Sequence, residues 1–211
     1  MRGFRKALVW FLLVAAVVAG VAYAFFIDVW TVTEDDPRLG GSLAPNMAIG
    51  DVVFLSKDPG ARLGWLVRCP DPEGSGRFVV GRIAGMNHEK LLIENGRLFV
   101  DHHRASTTSS CLEHTVAVFN PATGAEVEEN CSYEEIGSSR HAVLQIPNAV
   151  ETTFETQVQG GTAFIISDNR TLHYDSRDYG QVDPKTCQHV IFRAYSEAGW
   201  MDSPHRLTLL Y

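Results

Sequence analysis

Thr162-Ala163-Phe164-Ile165-Ile166 runs directly into Ser167-Asp168-Asn169-Arg170-Thr171-Leu172-His173-Tyr174-Asp175-Ser176-Arg177, and the reading of this stretch decides the fold. The apolar run, preceded by Gly160-Gly161, reads as a short buried strand. The loop behind it carries Asp168 and Arg170, a four-residue gap, then Asp175 and Arg177. Two Asp–Arg spacings so close predict charge-assisted pairs that fix a loop against a sheet. A solvated charged loop is the plainer alternative.

The chain around it is β-rich. Asp51-Val52-Val53-Phe54-Leu55 is an apolar run between Gly50 and the turn Lys57-Asp58-Pro59-Gly60. Leu91 to Val100 reads as a hairpin around Asn95-Gly96, a pair that tolerates the positive φ angles of a type I′ turn. A second hairpin is expected from Thr115–Phe119 and Ala125–Glu128 across Asn120-Pro121-Ala122-Thr123-Gly124. No long segment of 3.6-residue period follows the N-terminus, so the fold class is mainly β. About 101–157 reads as an excursion from the core sheet, either a hairpin subdomain or a long loop.

Before this domain, Arg2, Arg5 and Lys6 precede an uncharged stretch, Ala7 to Ile27. As a helix it would span about 31 Å, the thickness of a bilayer's hydrocarbon core. Residues 1–6 then form a cytoplasmic stub and 7–27 a transmembrane anchor. The positive-inside rule puts the N-terminus in the cytoplasm and the rest outside. Ala22-Tyr23-Ala24 also fits a signal-peptide cleavage site, but Phe25-Phe26-Ile27 carries the apolar stretch past it. Residues 28–41, with Glu34-Asp35-Asp36-Pro37, read as a juxtamembrane linker, and 42–211 as the exported domain.

In 211 residues there is room for one substantial core. A formal charge of −7 without a Lys/Arg run argues against a nucleic-acid partner. Cys69, Cys111, Cys131 and Cys187 lack CxxC spacing, which disfavours zinc and thioredoxin chemistry. Outside the cytoplasm disulfides can form, and Cys111 with Cys131, flanking the second hairpin, is the first pair to consider. Cys69 and Cys187 read equally well as isolated buried thiols.

Ser42 stands in Gly40-Gly41-Ser42-Leu43-Ala44-Pro45-Asn46-Met47, with Gly50-Asp51 following. Alone, a Gly-Gly-Ser turn is usually just a turn. Together with Asp168-Asn169-Arg170 and Asp175-Ser176-Arg177, it resembles the nucleophile box and the C-terminal box of the type I signal peptidases, the family of the bacterial leader peptidases. These are membrane-anchored serine proteases that remove signal peptides. The resemblance covers nearly the whole chain and implies the signal peptidase β-fold, Ser42 as nucleophile, and Asp168, Asn169, Arg170, Asp175, Ser176 and Arg177 as supporting residues. It implies no cofactor and no metal. Leu43 and Asn46-Met47 depart from the family's residues in what read as packing roles.

The decisive departure is in the middle box, Gly81-Arg82-Ile83-Ala84-Gly85-Met86, where the family's catalytic lysine position is Gly81. Arg82 and Gly85 keep the register, and Lys57, Lys90 and Lys185 fall elsewhere. A buried lysine serves as base because burial lowers its pKa towards neutrality. Glycine cannot take a proton, and loss of the base costs about 10⁴–10⁶ in kcat. His173 aligns with the family serine that lies beside the lysine amine and is the candidate base, with Asp168 or Asp175 to orient it. A turn histidine is the plain alternative among eight histidines. His88, His102 and His103 lie beyond the box, and no ligand spacing supports a metal at His102-His103.

Two functions follow from the resemblance. One is a serine endopeptidase of the cytoplasmic membrane that cleaves signal peptides of exported preproteins after small residues, binding them as an added strand. The other is a catalytically inactive relative that binds extended peptides or membrane partners. An unrelated exported β-domain would require both boxes to be accidental.

Overall fold

In the computed structural model, residues 2–33, 36–58, 60–149 and 153–210 are described. Glu34 and Asp35 of the acidic run, and Pro59 of the first turn, lie outside them.

The N-terminal helix α1 spans Arg2–Phe25. Its segment Gly3–Phe25, 23 residues, is long and apolar enough to cross a membrane, and its apolar window is not buried against the domain. Ile27 already belongs to the next element, strand β1 (Ile27–Thr31). Helix α2 (Pro37–Leu43) follows, with Asp36 as N-cap accepting from the Arg38 amide and Pro37 in the first turn. The segment 28–41, read from sequence as a linker, therefore holds an edge strand and a helix of the domain. The reason is packing: Val32 and Leu39 are buried in the main core and Trp30 lies against it.

The strands that follow are β2 (Val52–Ser56), β3 (Leu66–Pro70), β4 (Phe78–Met86), β5 (Lys90–Glu94), β6 (Arg97–Val100) and β7 (His103–Arg104). Next come β8 (Ser106–Asn120), β9 (Ala125–Ile136), β10 (Ser139–Gln145), β11 (Phe154–Gln157) and β12 (Ala163–Ile166). The short helix α3 (Ser176–Tyr179), β13 (Gln188–Tyr195) and β14 (Thr208–Leu209) complete the chain. A main sheet runs β1-β2-β13-β3-β4-β12, with β14 on β13; a second runs β11-β5-β6-β7; a third runs β10-β9-β8.

Both expected hairpins are present. Asn95 (φ 50°) and Gly96 (φ 70°) make the turn between β5 and β6, and the turn at 121–124 joins β8 to β9. The excursion is a three-stranded sheet over 106–145, not a loop. Strands β7 and β11, which fall within the expected excursion of 101–157 on either side of this sheet, belong instead to the β5–β6 sheet.

Period-two alternation makes β4 and β12 the shared wall of two cores. Ile83 and Ile165 face one cluster with Val53, Leu55 and Val67. Ala84, Phe164 and Ile166 face the other, with Leu91, Ile93 and Leu98. Burying each large side chain contributes about 1.5–3 kcal/mol, so the strand leading into Asp168 is anchored on both faces.

All four cysteines are paired. Cys111–Cys131 joins β8 to β9, as the hairpin reading suggested. Cys69 and Cys187, also read as candidate free thiols, are bridged across 118 residues and tie β3 to the start of β13. In the chain-entropy account a loop of that length contributes about 5 kcal/mol. Replacing Cys69 and Cys187 by serine is therefore expected to lower the denaturant midpoint strongly, and reductant is expected to do the same to the wild type. An unchanged midpoint in both experiments would remove this bridge from the account.

Candidate active site

The site is assembled where the end of β12 meets α2. Asp168 is buried, and its Oδ1 accepts from Arg82 Nε of β4 at 2.7 Å. Its Oδ2 accepts from Asn46 Nδ2, also at 2.7 Å, and Asn46 donates to the Ala142 carbonyl of β10 as well. Arg82 donates further to the Gly64 carbonyl and to Ser139 Oγ. One carboxylate thus joins β4, the segment after α2, and the inserted sheet. Asn46, which reads as a packing substitution, is a hydrogen-bonding member of this clamp.

Asn169 makes a second contact between the two boxes. Its amide N–H donates to the Ser42 carbonyl at 3.2 Å. Its side-chain oxygen accepts from the amides of Thr171 and Leu172, and its Nδ2 donates to Glu129 Oε2 of β9 at 2.6 Å. Arg170 pairs with Glu134 of β9, so the Asp168 and Arg170 of one box bind different partners rather than each other. Buried His141 lies 3.7 Å from Glu134 and 3.8 Å from Asp168. Burial, then the Arg82 and Arg170 guanidinium groups, hold its pKa well below 6.5, so it is neutral.

The second half of the C-terminal box is a closed local unit. Asp175 accepts from Arg177 Nε at 3.0 Å and Nη2 at 2.8 Å, and from the Ser167 amide. Burial raises its pKa, but the Arg177 charge, its hydrogen bond and His173 together hold it below the usual carboxylate range. Asp175 also caps α3, while Asp178 accepts from the Asp175 amide in a capping box. Ser176 Oγ accepts from the Ile165 amide, which ties α3 to β12.

Ser42 is 1% exposed, and its hydroxyl donates to the Leu39 carbonyl of its own helix at 2.9 Å. His173 Nδ1 stands 2.9 Å from Asp178 Oδ2. The carboxylate beside His173 in this conformation is thus Asp178, whereas the sequence pointed to Asp168 or Asp175. Leu172 is the link to the serine: its Cβ lies 3.5 Å from where a Gly41 Cβ would stand, and the Phe119 carbonyl is equally close. A shallow groove lined by Arg38, Asn120, Pro121, Ala122, Leu172 and His173 opens there.

Gly81 pairs with Val67 in the β3–β4 ladder. A Cβ at Gly81 would stand 2.9 Å from the Ile166 carbonyl oxygen, a backbone contact that cannot yield cheaply. Lys57 donates to the Tyr23 and Ala24 carbonyls at the end of α1, and Lys90 and Lys185 are exposed. Ligand atoms of His173, Asp175 and Asp178 lie within 4.8 Å of one another. The Asp175 carboxylate is committed to Arg177 and the Ser167 amide, which makes the trio a capping network rather than a metal centre.

Glu129 escaped the sequence reading, where it is one of several glutamates in a polar segment. It is fully buried, its Oε1 has no hydrogen-bond partner among the described residues, and burial raises its pKa to about 7 against the pull of Asn169. Alternation along β9 was the available signal: Glu129 shares the inward face with Val127 and Cys131, between exposed Glu128 and Asn130.

A family model described as signal peptidase, peptidase S26, matches residues 5–192. The chain belongs to the signal peptidase family, peptidase S26. No curated protein matches it in sequence.

Two outcomes are expected from these pairs. D168N removes the charge that Arg82 Nε meets at 2.7 Å in a buried site and should lower unfolding free energy by about 3–5 kcal/mol; a loss under 1 kcal/mol would refute the clamp. For Glu129, the folded pKa of about 7 lies above the ordinary 4.5. Its stability contribution is then fully present below 4.5 and lost as pH rises through 7. E129Q should match wild type in acid and exceed it above neutrality, by about 3 kcal/mol at most, as read by chemical unfolding across pH.

Proposed function

We propose that this protein is a membrane-anchored serine endopeptidase of the signal peptidase type, with Ser42 as nucleophile. Its substrates are the extended C-regions of signal peptides on exported preproteins, cut after small residues. The observation that carries the reading is the Asn169 amide bond to the Ser42 carbonyl, which supports taking the two boxes as parts of one site. The family and the N-terminal apolar helix support membrane anchoring. The basic residues in the first turns of that helix and the two disulfides after it favour a cytoplasmic N-terminus and a domain on the outer side of a bacterial cytoplasmic membrane.

In this reading His173 is the base and Asp178 its orienting carboxylate. A carboxylate on Nδ1 sets the tautomer that leaves Nε2 free to accept a proton. The Ser42 hydroxyl must leave the Leu39 carbonyl before imidazole and hydroxyl meet. Proton transfer to Nε2 then lets Oγ attack the scissile carbonyl, and the imidazolium protonates the leaving amine.

A specific observation favours a second reading, in which the chain binds such peptides without cutting them. Ser42 is covered, its hydroxyl is satisfied within its own helix, and the lysine position is closed by the Ile166 carbonyl.

Incubating the detergent-solubilised chain with a purified preprotein separates the two. The peptidase reading expects mature product, abolished in S42A and reduced about 10⁴-fold or more in H173A. Binding of the signal peptide without product, in wild type and variants alike, would establish the second reading. Product that survives S42A would overturn the nucleophile assignment.

A further inference from the structure

Among the buried groups outside the two boxes, one is tied to the serine by a continuous path. Glu129 Oε2 accepts from Asn169 Nδ2 at 2.6 Å, and the Asn169 amide donates to the Ser42 carbonyl at 3.2 Å. The other carboxylate oxygen, Oε1, is buried and without a partner among the described residues. A fold that only needed to fill this space would use an apolar residue, because an unsatisfied buried oxygen costs about 1–3 kcal/mol. The neighbours are indeed apolar: Val116 stands opposite Glu129 in the ladder, Val118 stands opposite Val127, and Cys131 is bridged.

We propose that Glu129, delivered by the inserted sheet, is a positioning residue for Ser42, acting through Asn169. This rests on the peptidase reading for its consequence in turnover, but not for its geometry. The carboxylate fixes the Asn169 side chain, whose own oxygen gathers the Thr171 and Leu172 amides. The residue that holds the Ser42 carbonyl is therefore held from two sides, and Leu172, which flanks Gly41, is held with it. A charged acceptor binds an amide donor about twice as strongly as a neutral one, so the hold tightens as Glu129 ionises.

The other charges near this path are already committed. Asp168 is paired with Arg82 and Arg170 with Glu134, while His141 behind them is neutral. From α2 and its exit, Ser42 and Ala44 bring no titratable group to this face. Glu129 is accordingly the group on this path whose charge changes near neutral pH.

The test uses the full chain in detergent, with E129A and E129Q beside wild type. Steady-state cleavage of a preprotein should show kcat down about 10–100-fold in E129A with KM nearly unchanged. E129Q keeps a neutral acceptor for Asn169 and should recover part of that loss. The ratio of wild-type to E129Q kcat should rise through pH 7, a comparison in which any pH dependence the two proteins share cancels. Hydrogen exchange of the segment 39–47, followed by mass spectrometry at pH 8, should be faster in E129A than in wild type, with E129Q between. Exchange unchanged in E129A overturns the proposal whether or not the protein cleaves anything. Equal kcat in all three proteins, or a loss confined to KM or to the folded fraction, overturns it equally. A wild type that does not cleave sinks the peptidase reading instead, and the exchange comparison then decides the role of Glu129 by itself.

Discussion

Asp168 is the charge on which the site depends. Its two oxygens bind Arg82 from β4 and Asn46 from the segment behind Ser42, and all three side chains lie in or against the core. A carboxylate taken out of water is tolerated only when its lone pairs are used, and here both oxygens are. Because Asp168 cannot move without giving up its bonds to Arg82 and Asn46, the next residue, Asn169, has a fixed address beside Ser42. The C-terminal box is in this sense a consequence of β12: two hydrophobic cores hold the strand, and the strand delivers the clamp.

Much of this was legible in the sequence for local reasons. Asn95-Gly96 announces a turn that needs positive φ twice, and both residues adopt it. The Asp175–Arg177 pair is two residues apart and forms where expected. What escaped the reading depends on partners distant along the chain. Asp168 bonds to Arg82 rather than to Arg170, and Arg170 turns to Glu134, choices set by how β9 and β10 lie against the loop. The stretch 28–41 looked like a linker because its polar residues outnumber its apolar ones. Val32 and Leu39 nonetheless suffice to draw it into the main core. Glu129 was hidden because a glutamate among glutamates reads as solvated surface, and only strand register reveals which one faces inward.

The missing lysine is a structural fact as well as a chemical one. Gly81 is enclosed by the Ile166 backbone, so β12 lies closer to β4 at this point than any side chain would allow. Whatever chemistry Ser42 performs must draw its base from elsewhere, and the imidazole–carboxylate couple that this reading assigns is His173 with Asp178 in the α3 capping network. Glu129 illustrates a related tension. Its burial disfavours its charge, while the same charge would strengthen its grip on Asn169. Natural sites often accept such costs where orientation matters more than stability.

The most direct measurement of the central claim is covalent trapping of the nucleophile. The full chain in detergent would be treated at neutral pH with a fluorophosphonate, and the adduct located by peptide mass mapping. An activated serine at the junction of the two boxes predicts a single adduct on Ser42, lost in H173A. No adduct, or one on another serine, would contradict the account and leave the junction a structural feature without a nucleophile.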